Sequence, residues 1–291
     1  MAAPLVTGPL LTGPLLTIPF PAIDPVLVDF GPVAIRWYAL SYIVGLLLGW
    51  RLAMRLAERP DAPMTRDDPD AFLAWATLGV VIGGRTGYVL FYNLDWFMQH
   101  PDQILAVWSG GMSFHGGLTG VIVAGLLFCR NRGLSALSFG DILGAVAPVG
   151  LFFGRIANFI NGELWGRPTD VPWAMVFPAA DDLPRHPSQI YEAFLEGVVL
   201  FVLAQVLIRR FRALERPGLV MGSFIAGYGT ARFIVEFFRQ WDAQVEPMFG
   251  WLSRGQQLSL PMIAIGLWFV IRALRAPRVL PAPSAKPGDA S

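Results

Sequence analysis

The sequence predicts an all-α fold, a polytopic membrane bundle of seven transmembrane helices with its N-terminus outside and its C-terminus cytoplasmic. Three observations carry that expectation. First, 54% of the 291 residues are hydrophobic and 15% are charged, and mean hydropathy is +0.52, whereas about a quarter of residues are charged in soluble domains. Second, seven apolar runs, at roughly 35–55, 71–92, 112–130, 138–160, 189–209, 218–238 and 257–274, are each long enough to cross ~30 Å of hydrocarbon. Third, basic residues gather after every second run. They are Arg51, Arg55, Arg59 and Arg66, then Arg130 and Arg132, then Arg209, Arg210, Arg212 and Arg216, then Arg272, Arg275, Arg278 and Lys286. The other side has Arg167, Arg185, Arg239 and Arg254, with Arg36 at the boundary. The basic side is expected to be cytoplasmic.

Before the first run, residues 1–34 are Pro-rich and carry no charge until Asp24, with a short repeat in "TGPLLTGPLLTIP". They lack the basic start of a signal peptide, and the prolines oppose a regular helix. They are expected to form an arm in the outer interface. Residues 35–276 make up the bundle, and the Pro- and Ala-rich 277–291 is expected to be a disordered cytoplasmic tail. In the second run Gly79, Gly83 and Gly87 recur every four residues, and in the third Gly116 and Gly120 do the same. That spacing lets helix backbones approach closely.

Several functions are excluded early. A net charge of +1 gives no basic field for nucleic acid. One cysteine, Cys129, rules out an internal disulfide and a Cys metal cluster, and reads as a small core residue. His100, His115 and His186 are far apart without helical metal spacing. No phosphate loop or dinucleotide fingerprint appears, so no cofactor is expected.

The informative residues are the polar ones inside the runs. An arginine at mid-bilayer costs about 2.5–3.5 kcal/mol, yet Arg85, Arg155 and Arg232 fall in the runs or at their ends. Asn158 shares a helix face with Arg155, and Asn161 and Glu163 follow at the helix end. Tyr228, Arg232 and Glu236 are four apart and form one polar stripe. Internal pairs (Arg232 with Glu236, Arg155 with Glu163, Arg85 with an acid elsewhere) are one reading. Buried pairs are poor stabilisers against an apolar alternative, however. A cationic pocket for an anion is the other reading, since the guanidinium fork suits phosphate, and the phosphate most abundant in a membrane belongs to a phospholipid. His115, in "GGMSFHGGLTG", is a candidate general base at the outer interface. An enzyme acting on a phospholipid and a transporter of an anionic lipid both fit these residues.

In chain order, "RWYAL", "GGRTGYVLFYN", "GGMSFHGGLTG", "GRIANFINGELWGRPTD", "HPSQIYEA", "GSFIAGYGTARFIVEFFR" and "GQQLSLPM" together resemble the bacterial prolipoprotein diacylglyceryl transferases. The resemblance covers about Ile35 to Leu274. It departs at "RQWDAQ" after the sixth run and at Arg254. It implies a multi-pass enzyme of the inner (plasma) membrane with its active site towards the outer half of the bilayer. Such an enzyme moves the sn-1,2-diacylglyceryl group of phosphatidylglycerol to the lipobox cysteine thiol of a prolipoprotein signal peptide. A thioether forms and glycerol phosphate leaves, with no metal or nucleotide. The resemblance makes Tyr38, His115, Arg155, Asn158, Glu163, Arg232 and Glu236 functional. Among these, His115, Arg155, Arg232 and Glu236 are expected to be catalytic. Tyr38, Arg85, Asn158, Asn161, Glu163 and Tyr228 are expected to bind substrate. Glu163 and Glu236 are expected to hold the arginines, and a carboxylate is the alternative base to His115. A transporter or flippase of an anionic lipid remains the rival; no repeat relates the two halves as many transporters require.

Overall fold

The computed structural model describes residues 18–21, 23–31, 34–240 and 252–279. The reading of an interfacial arm over residues 1–17 and of a tail from residue 280 onward lies outside the described residues. Every apolar run is helical. The helices are α1 (Trp37–Ala57), α2 (Asp67–Tyr92), the short α3 (Leu94–Gln99), α4 (Phe114–Arg132), α5 (Ala136–Ile160), α6 (Ser188–Glu192), α7 (Leu200–Phe211), α8 (Leu219–Val235) and α9 (Arg254–Arg275). Between α6 and α7 the chain stays helical, widened to a π-helix over Ala193–Val199, so Ser188–Phe211 is one rod. Helices close their own backbone hydrogen bonds, which is what hydrocarbon demands. Five of these rods are long and apolar enough to cross a membrane: Trp37–Ala57, Asp67–Tyr92, Ala136–Ile160, Ser188–Phe211 and Arg254–Arg275. Leu219–Val235 is apolar but shorter.

The fold is not purely helical. Strands β1 (Val26–Asp29) and β2 (Ala34–Arg36) pair antiparallel just before α1. Strands β3 (Met175–Val176) and β4 (Pro184–Arg185) pair within the long loop between α5 and α6. Ile18 adds a parallel bridge to Met175. These short strands escape sequence patterning because they are too brief to show alternation.

The glycine spacing acts as expected. A Cβ on Gly87 would lie 2.8 Å from the Gly116 Cα, and one on Gly83 would lie 2.7 Å from the Gly120 Cα. Helices α2 and α4 therefore touch backbone to backbone, and van der Waals contact replaces the hydrophobic drive that lipid does not supply. At the end of the bundle carrying the arginine-rich loops, Phe72, Phe128, Phe139, Ile142, Ile208 and Val220 form a closed core that includes Cys129. There the fully buried Asp141 of α5 accepts from the backbone N–H groups of Gly218 (2.7 Å) and Met221 (2.8 Å). It thereby caps α8, whose first turn has no other side-chain cap. That anchor sets the depth at which Tyr228, Arg232 and Glu236 emerge near the far end of the helix.

Candidate active site

The polar residues converge at the end of the bundle opposite the arginine-rich loops. The last turns of α5 supply Arg155, α8 supplies Arg232 and Glu236, and the start of the Ser188–Phe211 rod supplies Glu192 and Glu196. Glu192 is the hub. Its Oε1 accepts from Arg232 Nη1 (2.9 Å) and Arg239 Nη1 (3.2 Å), and its Oε2 lies 3.3 Å from Arg155 Nη1. Arg155 also grips Glu196 with a fork, donating from Nε (3.1 Å) and Nη2 (3.0 Å) to one carboxylate oxygen. Arg232 completes the cluster through Glu236 at 2.8 Å. The π-helical turn beginning at Ala193 is where the rod passes Phe152, with Gly197 too close to it for a side chain. Such turns recur at functional sites.

The exposures give the cluster a direction. Glu192 and Glu196 side chains are 0% exposed, whereas those of Arg155, Arg232 and Arg239 are 17%, 19% and 14% exposed. The carboxylates form a floor and the guanidiniums a layer above it. Each guanidinium has five N–H donors, and the floor does not use them all. Tyr228 lies within electrostatic reach of Arg155, Arg232, Glu192 and Glu196.

Beside this cluster, Asn158 donates to Glu163 Oε1 (2.7 Å), and Asn161 approaches the same oxygen at 3.5 Å. The loop is tied down from the next rod. Gln189 donates to the Glu163 carbonyl and Ser188 to the Leu164 carbonyl. Tyr38 is half-buried, its hydroxyl 3.2 Å from that of Tyr42, and is within electrostatic reach of Glu163 and Arg155.

Three sequence expectations need correction. Arg155 pairs with Glu192 and Glu196, not with Glu163, which engages Asn158 instead. Glu236 does hold Arg232, but Glu163 holds no arginine among the described residues. Arg85 has no acid partner among the described residues. It donates to the carbonyls of Gln103, Ile104, Gly110 and Gly111, under the rings of Phe97 and Tyr88. It staples the 93–111 segment to α2 and lines a separate open cleft of about 390 Å³ with Trp96 and Asn93. His115 also stands apart. Its side chain is exposed in the first turn of α4, and its ring meets that of Phe114.

Glu192, Glu196 and Arg239 are not among the site residues expected from the sequence. The signal for the two glutamates was present: acids four apart inside the run 189–209 deserve the same question as the arginines. Arg239 read as a loop cation because nothing local shows that the chain after α8 turns back over Glu192.

Backbone pairing positions Arg239. Gly166 N donates to His186 O (2.9 Å), and Arg167 N donates to Phe238 O (2.8 Å). The Arg167 guanidinium donates to the Arg239 carbonyl (2.9 Å). His186 is wedged here between Phe238 and Tyr191, and burial pushes its imidazole below the usual range. On the rim, the hydrogen bonds from Arg185 hold the Asp181 carboxyl below the ordinary carboxylate range.

A family model described as prolipoprotein diacylglyceryl transferase matches residues 25–272. The chain belongs to the prolipoprotein diacylglyceryl transferase family. Curated relatives named phosphatidylglycerol–prolipoprotein diacylglyceryl transferase agree over nearly full length. One from Rhodospirillum rubrum is 58% identical over 88% of this chain and 94% of its own. One from Azospirillum brasilense is 55% identical over 90% and 98%, and one from Nitrobacter hamburgensis 54% over 94% and 96%. The chain is thus a transferase of this family, and its buried arginine–glutamate cluster lies within the matched span.

Within this transferase Gly166 is a sharp test of the loop. A Cβ there would fall 2.6 Å from the His186 Cβ, the His186 carbonyl and the Phe238 carbonyl. Two of the three are backbone and cannot swing aside. Gly166→Ala is expected to push the 238–240 segment and Arg239 outward and to lower turnover by on the order of 10²-fold, the cost of about 1 Å of misplacement. The bundle itself should stay folded. Turnover measured beside the thermal unfolding midpoint in detergent checks this.

Proposed function

We propose that the chain transfers the sn-1,2-diacylglyceryl group of phosphatidylglycerol to the lipobox cysteine thiol of a prolipoprotein, the first step of bacterial lipoprotein maturation. The observation that carries this reading is the layer of three guanidiniums, Arg155, Arg232 and Arg239, above a buried floor of Glu192 and Glu196. Buried ion pairs are a poor way to stabilise a bundle, whereas spare N–H donors above fixed carboxylates suit a phosphodiester.

The peptide thiol loses its proton, and the thiolate attacks the glyceryl carbon attached to the phosphate. A C–S bond forms as the C–O bond breaks, the electron pair passes to the phosphate oxygen, and glycerol phosphate departs. The leaving group gains charge as the bond breaks, and Arg155 and Arg232 stabilise it without reorganising, because their carboxylates already hold them in place. Asn158, fixed by Glu163, orients headgroup oxygens together with Asn161, Tyr38 and Tyr228. The nucleophile belongs to the peptide, so the buried Cys129 has no part in the chemistry.

His115 is the base in this reading, exposed where a peptide thiol can reach it. His115→Ala is expected to lower turnover at neutral pH by about 10²-fold or more. A folded variant with full turnover would pass the base role to a carboxylate.

The cluster is placed in the outer half of an inner-membrane bundle of seven crossings, N-terminus outside and C-terminus cytoplasmic. The support is the arginine-rich loops gathered at the opposite end. The prolipoprotein then arrives from outside and the lipid enters sideways.

The decisive assay supplies phosphatidylglycerol and a synthetic lipobox peptide to the enzyme in nanodiscs and follows released glycerol phosphate and peptide mass. Wild type and Cys129→Ser should both add a diacylglyceryl mass to the peptide. A flippase would move lipid but release no glycerol phosphate, and that result would sink the transfer reading.

A further inference from the structure

The segment ahead of the bundle contributes to the site in a way the motifs do not reveal. Phe20 lies in the Pro-rich stretch before α1, outside every motif quoted above. Its ring packs 5.3 Å from that of Phe159 and 5.1 Å from that of Phe177. Phe159 directly follows Asn158 on α5, and Phe177 is fully buried in the 161–188 loop. The strand-like approach of the segment is fixed by Ile18 N donating to Ala174 O (3.0 Å) and by the parallel bridge from Ile18 to Met175.

Phe20 also covers the turn that ends α5. That turn needs Gly162 at φ +63°, a left-handed conformation that only glycine adopts without strain. A Cβ on Gly162 would be 3.6 Å from the Phe20 ring. Gly162 separates Asn161 from Glu163, and Glu163 reaches back 2.7 Å to Asn158. Backbone hydrogen bonds close the turn, from Gly162 N to Phe159 O (2.9 Å) and from Glu163 N to Asn158 O (3.1 Å), so a ring packed on Phe159 bears on it directly. The Phe20 ring stands beside this turn, and Gln189 and Ser188 hold the residues that follow it from the rod.

We infer that Phe20 is a positioning residue for transfer, acting through the turn at Gly162 to fix the Glu163 carboxylate and, through it, the Asn158 amide. This rests on the reading of Asn158 and Glu163 as substrate-orienting groups. The ring touches neither substrate nor reacting atom, so its removal loosens geometry rather than deleting a charge.

Five enzymes test this: wild type, Phe20→Ala, Glu163→Gln, the double variant, and Phe20→Leu as the conservative control. The readouts are kcat and KM for phosphatidylglycerol in nanodiscs and the thermal unfolding midpoint. Phe20→Ala is expected to lose roughly tenfold in kcat/KM, a fraction of the on-the-order-of 10²-fold attached to a 1 Å displacement. The unfolding midpoint should hold close to wild type, because the bundle does not depend on this ring, and Phe20→Leu should recover most of the activity. In the Glu163→Gln background, removing Phe20 should cost almost nothing more, since the group it positions is already altered. If the two losses multiply, Phe20 does not act through Glu163 and the inference is overturned. Wild-type activity in Phe20→Ala overturns it as well. Full activity in Glu163→Gln would instead overturn the underlying role of the motif, which keeps the two failures distinguishable.

Discussion

Arg155→Ala is expected to lower the rate of diacylglyceryl transfer by on the order of 10²–10³-fold with both substrates saturating, the range seen when a preorganised donor to a developing charge is removed. Two features of the site argue for a loss at the top of that range. Arg155 touches both buried carboxylates, Glu192 at 3.3 Å and Glu196 at 3.0 Å. Its deletion therefore removes the proposed phosphate donor and also leaves Glu196 without an ion-pair partner among the described residues. Arg155→Lys should not rescue. The two-pronged contact to Glu196 needs the planar fork, and an ammonium is a compact point charge that cannot reproduce it. Initial rates of glycerol phosphate release for the three enzymes decide the matter. A lysine variant near wild type would reduce the role of Arg155 to charge alone.

Glu192→Gln is the second large effect, and it is unusual in altering a side chain that is fully buried. One fully buried carboxylate receives three guanidiniums. Neutralising it leaves Glu196 and Glu236 to balance three cations in a low-dielectric interior. Breaking a buried pair in this way costs about 3–5 kcal/mol of stability. The arginines then lose their common anchor, and turnover is expected to fall by on the order of 10²-fold as their donors drift from the phosphate position. Thermal unfolding and turnover should therefore fall together in Glu192→Gln, and Arg155→Ala, which leaves the buried Glu196 without its cation, should lower the unfolding midpoint as well. Wild-type stability in a folded Glu192→Gln enzyme would contradict the hub role.

The two variants also separate what each residue contributes. In the proposed reading an arginine on the layer meets the substrate, whereas the glutamate beneath is the common partner of all three arginines. That division explains why acids occur in a segment where hydrocarbon would otherwise select Leu and Val. The same logic covers Arg167 and Gly166, which act on Arg239 through backbone carbonyls rather than through charge.

Much was legible in the chain itself. The apolar runs located every long helix, because a helix is the structure that satisfies its own backbone in lipid. The four-residue glycine spacing announced the α2–α4 contact, because it acts through a local repeat. The expense of burying Arg155 and Arg232 pointed to partners for both, which the structure supplies as Glu192, Glu196 and Glu236. The stripe of Tyr228, Arg232 and Glu236 needed only helical periodicity, and the Arg232–Glu236 pair followed from it.

What the sequence by itself determined, then, was a helical membrane protein of this transferase family with cations inside it. Composition, hydropathy and motif order are properties of local segments and survive being read one residue at a time. Only the tertiary structure decided which charges meet. Glu192 lies 37 positions from Arg155, 40 from Arg232 and 47 from Arg239, and those separations carry no local signal. Arg85 shows the same principle in reverse. Its burial predicted a partner, but four carbonyls of the 103–111 segment serve it instead of an acid. A buried cation requires only that its donors be satisfied and its charge be met by dipoles or an anion. Which of these it finds depends on where distant parts of the chain pack.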